Sequence, residues 1–97
     1  MTMTDYASVL IEKDALPSLQ ESIDIGKEVL ERKLSVYEKK IAKFENSEKM
    51  DTETFNLLFN EGKLGDNKKW FKWDYLASVV RLLNKKLDDL EQIRYET

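Results

Sequence analysis

Acidic side chains at helical spacing are the first candidates for chemistry in this chain. Asp24, Glu28 and Glu31 are four and three residues apart, so on a helix they share one face. Carboxylate oxygens suit Mg²⁺, and Asp88 could add another, which would fit a Mg²⁺-dependent helical nucleotide pyrophosphohydrolase. Basic residues alternate with these carboxylates, however, and this is typical of a solvated face with i,i+4 ion pairs. We therefore predict no metal site and no catalytic residue.

The composition excludes several other classes of function. The 97 residues include no Cys and no His, and 16 basic and 19 acidic side chains give a net charge of -3. Zinc fingers, thiol nucleophiles and Ser-His-Asp triads are excluded, and the absence of disulfides favours a reducing compartment, so we expect a cytoplasmic protein without a cofactor. No apolar run reaches the roughly 18 residues of a membrane span, and the first five residues do not resemble a signal peptide. No segment is basic enough to predict direct contact with nucleic acid.

Apolar residues recur at alternating steps of three and four along two long segments, which predicts a single all-α domain over 1–97. The predicted elements are an N-terminal arm (1–17), a long helix (18–46), a short helix (52–61) and a second long helix (67–94). The two long stripes are Leu30, Leu34, Tyr37, Ile41 and Phe44, and then Trp73, Leu76, Val80, Leu83, Leu87 and Leu90. Their similar lengths predict a long antiparallel hairpin, and its small core predicts completion of a helical bundle by dimerisation.

The start of the first long helix has two interpretations. Ser18 and Glu21 have the spacing of a capping box, with Pro17 just before the helix. Alternatively, Asp14 caps the helix and Pro17 lies in its first turn. Gly26 interrupts the apolar stripe, either as a tolerated defect or as a point where a partner helix approaches closely.

A glycine-containing turn is predicted between the short helix and the last one. Asp51 or Thr52 can cap the short helix, and Gly62 stands where a left-handed residue often ends a helix. Asp66 is the predicted cap of the last helix. The turn residues that we single out are Gly62, Leu64, Gly65 and Asp66.

Four aromatic residues crowd the start of the last helix. At about 100° per residue, Trp70 and Trp73 lie roughly 60° apart, whereas Phe71 and Tyr75 point to another face. One packing face cannot take all four, so either part of the chain folds back over them or a partner covers them. The segments that could fold back contain Phe55, Phe59 and Leu64.

The segment 5–11 is apolar but too short for its periodicity to separate a strand from a helix. We interpret it as an arm that packs on the bundle or on another molecule. Val9 and Ile11 of the arm, together with Trp70, Phe71, Trp73 and Tyr75, form the predicted partner-binding set.

The run from Phe59 to Asp74 carries a recognisable pattern: Phe-x-x-Gly-x-Leu-Gly-Asp, a few polar residues, then Trp-Phe-x-Trp. It resembles a motif of small helical prokaryotic proteins, largely archaeal and uncharacterised, some of which are similar to the antitoxins of toxin–antitoxin modules. The resemblance covers about residues 55–76. It implies a non-catalytic protein that binds and neutralises a small toxin encoded beside it.

The sequence therefore predicts a non-catalytic protein-binding module, with an antitoxin as the most specific form of that function. The first alternative is a homo-oligomeric structural or regulatory protein without an obligate partner. The second alternative is the Mg²⁺-dependent pyrophosphohydrolase described above.

Overall fold

The computed structural model describes residues 5–95 and contains only helices and connecting segments in that range. A short 3₁₀ turn, Lys13–Ala15, leads into α1 (Leu16–Glu48), which is followed by α2 (Thr52–Asn60) and α3 (Lys68–Glu91). The all-α prediction is confirmed, and α1 packs against α3.

The start of α1 agrees with the second interpretation in placing Pro17 in the first turn, but neither predicted cap is present. The helix begins at Leu16, its N-cap is Ala15, and no side chain caps it. Pro17 lies in the first turn, where its missing N–H costs nothing and its fixed φ suits the helix, so the helix extends back past the predicted start. Ser18 is consequently an interior helical residue and forms no capping box with Glu21.

Side-chain caps define the starts of α2 and α3. The Asp51 carboxylate accepts a hydrogen bond from the backbone N–H of Thr54 at 2.7 Å, so Asp51 is the cap of the two that the sequence allowed. At α3 the cap is Asn67 rather than Asp66. Asn67 has the extended backbone of an N-cap, and its side-chain oxygen accepts from the N–H of Lys69 at 3.0 Å.

The core is built around the indole of Trp73. The Phe55 ring from α2 stacks on it with a centroid distance of 4.1 Å, and the Phe44 ring from α1 lies 5.5 Å away in a second stacked contact. Phe55 and Trp73 are fully buried, and Ile41 and Leu76 belong to the same cluster. All three helices therefore meet at one side chain.

A chain of hydrogen bonds fixes the same junction. The Trp73 indole N–H donates to the Thr52 hydroxyl at 3.1 Å. That hydroxyl donates to the Glu45 carboxylate at 3.1 Å, and the backbone N–H of Thr52 donates to the same oxygen at 2.9 Å. The buried indole donor is thus satisfied, and the first residue of α2 is held between α1 and α3.

Away from this junction the molecule is a thin layer of two helices. Phe44 and Trp73 join α1 to α3 near one end, and an ion pair of 3.3 Å between Lys27 and Glu91 joins them near the other. The molecule measures 55 × 33 × 18 Å. Its radius of gyration is 18.6 Å, against about 12.5 Å for a compact domain of this length.

Truncating the ring that lies on Trp73 tests the importance of the junction. We expect Phe55→Ala to lower the free energy of unfolding by about 3–5 kcal/mol, because it opens a cavity beneath the indole. Urea titration followed by circular dichroism measures the change. Leu57→Ala is the matched control on α2, since Leu57 is 61% exposed and should cost little. Equal effects of the two substitutions would contradict this account of the core.

The cap of α2 predicts a pH dependence. Hydrogen bonds from the backbone and side chain of Thr54 hold the pKa of Asp51 below its ordinary value of 3.8. Because the pKa is lower in the folded chain, the cap contributes fully at neutral pH, and its contribution is lost as the pH falls through 3.8 towards the folded value. Asp51→Asn keeps a capping oxygen that does not titrate, so the stability of this variant should fall less between about pH 7 and about pH 3. Parallel losses in the two proteins would show that other carboxylates carry the acid sensitivity.

Candidate functional site

The structure separates the four aromatic residues at the start of α3 into two pairs. Trp70 and Trp73 lie in the core, where Phe55 contacts both rings. Phe71 and Tyr75 remain on the outside, with 54% and 60% of their surface exposed.

The predicted role of the two tryptophans in partner contact has to be corrected. Trp73 has no exposed surface and Trp70 has 8%, so neither offers a ring to a partner. The physical reason is the return of the chain over them, because Phe55, Phe59 and Leu64 all pack on this cluster. These are the residues that the alternative interpretation named.

Phe71 and Tyr75 remain candidates for contact with a partner. They lie one helical turn apart on α3, on the side that points away from Trp73. Phe71 makes an edge-to-face contact with Phe59 at a centroid distance of 5.6 Å, and about half of its surface stays exposed.

The N-terminal arm is the second exposed apolar element. Residues 5–12 have no regular secondary structure. Val9 is 80% exposed, Leu10 is fully exposed and Ile11 is 40% exposed. The arm does not bury these side chains on its own chain, and they are available to a second molecule.

The predicted turn serves to end α2 and position α3. Gly62 has a φ of +71°, its N–H donates to the carbonyl of Phe59 at 3.1 Å, and the N–H of Lys63 donates to the carbonyl of Leu58 at 3.0 Å. These two bonds form a Schellman motif, which requires a left-handed residue after the helix. Leu64 packs on the core. Of the remaining turn residues, Gly65 also has a positive φ and Asp66 is exposed.

Gly26 is not a point of close approach between helices of this chain. A Cβ atom built at Gly26 would meet no atom within 4 Å. Within the described part of the chain, no other helix comes close enough to require a glycine there.

The carboxylates considered for Mg²⁺ are not gathered into a site. Glu28 forms an exposed ion pair of 3.2 Å with Arg32, which lies one turn further along the same helix. Over residues 5–95, no group of three or more acidic side chains is placed to hold a metal ion. The structure thus offers no geometric support at Asp24, Glu28, Glu31 and Asp88 for metal-assisted hydrolysis.

Exposed aliphatic residues on the long helices were missed by the sequence analysis. Ile25, Val29 and Val36 on α1, and Leu82 on α3, each expose between 41% and 53% of their surface. Their spacing was the available signal, because steps of four and seven residues, about one and two turns, place the three α1 residues on one side of the helix. Charged residues surround them, and for this reason the sequence indicated a solvated face.

Comparison of the chain with protein-family models, with curated proteins and with solved structures finds no match. None of the helices in the described residues is both long enough and apolar enough to cross a membrane.

Exchanging two glycines for alanine tests the turn. Gly62→Ala should lower the free energy of unfolding by about 1–2 kcal/mol, because alanine is strained at positive φ. Gly26→Ala should raise it by about 1 kcal/mol, because a Cβ there improves helix propensity without a clash. Thermal unfolding of both variants measures the difference. A loss of stability in Gly26→Ala would mean that this position is in close contact after all.

Proposed function

We propose that this protein is a non-catalytic protein-binding module that uses the outer faces of its helices and its N-terminal arm. The observation that carries the proposal is the excess of exposed surface. The chain exposes 8127 Å², whereas a compact monomer of 11.4 kDa exposes about 5,800 Å². The difference of about 2,300 Å² exceeds the roughly 800 Å² that each partner contributes to an ordinary interface.

Phe71, Tyr75, Val9 and Ile11 remain the contact residues that we propose from the original set. Aromatic side chains are enriched at the centres of interfaces, and these two occupy the outside of a rigid helix. The arm lies next to the start of α1 and can follow a partner without disturbing the core.

The resemblance of the segment from Phe59 to Asp74 to antitoxin-like proteins makes the proposal more specific. In that form, the partner is a small toxin encoded by a neighbouring gene, and binding takes place in the cytoplasm. We further propose that α1 and α3 form an antiparallel hairpin. The contacts between Phe44 and Trp73 and between Lys27 and Glu91 support it, because they join opposite ends of the two helices.

A homodimer that completes a helical bundle is the second candidate function. The same excess of exposed area favours it, since two-helix layers commonly reach a full core by pairing. In that case the protein has a structural or regulatory role without an obligate foreign partner.

Co-expression with the tagged product of the neighbouring gene tests the proposal. We expect a stoichiometric complex by size exclusion with light scattering. Tyr75→Ser should weaken that complex by about tenfold without a change in melting temperature, because the ring is exposed.

Leu57→Ser, an exposed position on α2, is the matched control and should bind normally. A lone homodimer would favour the second candidate. A monomer that binds nothing would overturn both candidates.

A further inference from the structure

The charges of α1 are sorted to the two sides of its apolar stripe. Asp24, Glu31, Glu38 and Glu45 are seven residues apart, so they line one side of α1 over about six helical turns. α2 lies on this side, where Thr52 binds Glu45. A groove of about 360 Å³ there has three glutamates and a single basic residue among its lining side chains.

The opposite side of the α1–α3 pair carries a lysine-lined groove that α2 does not cover. This groove has a volume of about 420 Å³. Its lining consists of Lys40, Lys43, Phe44 and Ser47 of α1, and Lys72 and Leu76 of α3. Its floor is therefore apolar and its walls are cationic.

Beyond this groove, lysines and apolar residues recur on the same side of both helices at helical spacing. On α1, positions 22, 26, 29, 33, 36, 40, 43 and 47 form a stripe at steps of four and three, and on α3, positions 72, 75, 79, 82 and 86 do the same. No Asp or Glu occurs at these thirteen positions. We call this surface the lysine face. Its cations are Lys33, Lys40, Lys43, Lys72 and Lys86.

Apolar side chains occupy the middle of the lysine face. Val29 and Val36 of α1 are exposed, as are Tyr75 and Leu82 of α3, and Val79 is half-buried. A surface that was only a solvated flank would not place these groups together at helical spacing.

The lysines of this face have no anionic partner within the described part of the chain. None of the five forms an ion pair, whereas Lys27, Lys69 and Lys85 elsewhere do. Lys40 is placed over the ring of Tyr37 at 5.5 Å instead.

We propose that the lysine face binds an acidic amphipathic helix of the partner, laid along the groove between α1 and α3. This inference rests on the proposed function and specifies the chemistry of its partner. A groove between two packed helices accepts a third helix by its apolar face, and glutamates or aspartates beside that face would meet the lysines. Along α1, the lysine face from Val29 to Ser47 is about 27 Å long, which matches a helix of about 18 residues.

The charge pattern disfavours two other occupants. A second copy docked symmetrically by the same face would bring five lysines against five lysines, and like charges across an interface are unfavourable. Nucleic acid would use the lysines but not the valines, leucine and tyrosine between them, because phosphate contacts are polar.

Two designed peptides provide the test. Each is an amphipathic helix of about 18 residues with the same apolar face, flanked by glutamate in one peptide and by lysine in the other. Calorimetry or fluorescence anisotropy with the full chain should show binding of the acidic peptide only. The dissociation constant should rise by about tenfold between low and high salt.

Charge variants locate the binding site. Lys40→Glu combined with Lys72→Glu should abolish binding, and Lys39→Glu combined with Lys63→Glu, with the same net charge but outside the lysine face, should not. If the first pair fails to fold, Lys40→Gln with Lys72→Gln replaces it and should weaken binding by about tenfold.

Three results would overturn the inference. The first is equal binding of both peptides, or of neither. The second is a change of oligomeric state in the Lys40→Glu, Lys72→Glu variant, which would assign the face to a second copy. The third is tighter binding of a nucleic-acid duplex, lost in the same variant. The co-expression complex is scored separately: if it forms and survives these charge changes, the protein-binding function stands and only the lysine face is wrong.

Discussion

One indole ring determines how this small protein holds together. Trp73 receives an aromatic ring from each of the other two helices on its faces, and its N–H is satisfied through Thr52 to Glu45. Without a partner for that N–H, the burial of the ring would carry a desolvation cost. The position of α2, the cover over the core and the direction in which α3 leaves the turn all depend on this contact.

The stable junction explains why so much of the chain can remain thin. α2 has only nine residues and covers only the junction, so the rest of α1 and α3 pack on each other alone. Two helices bury one stripe each and leave their outer sides in solvent. The two sides of the layer differ in charge, with glutamates on the side of α2 and lysines on the other.

The sequence predicted the long helices well because their period is carried by many residues, from Leu30 to Phe44 and from Trp73 to Leu90. Helix starts depended on single residues, and there Pro17 overrode the capping signal of Ser18. Periodicity showed that Trp70 and Phe71 face different ways but could not say which side is inside. That choice depends on Phe55, whose position follows from the tertiary contact between Thr52 and Glu45. The sequence did not reveal the exposed apolar side chains of Val29 and Val36, because charged residues surround them. The exposure of their common side of α1 can be recognised only when the position of α3 is known.

The uneven thickness of the layer also implies an uneven resistance to local unfolding. Near Lys27 and Glu91 there are few buried side chains, so we expect amide hydrogens there to exchange through small openings and those around Trp73 to require global unfolding. In the proposed complex, a partner bound on the thin part would suppress these openings, and part of its binding free energy would be used to order the helices. The bound chain would then resist proteases better than the free chain. If the proposed partner binds there, the lifetime of this protein in a cell would follow the supply of that partner.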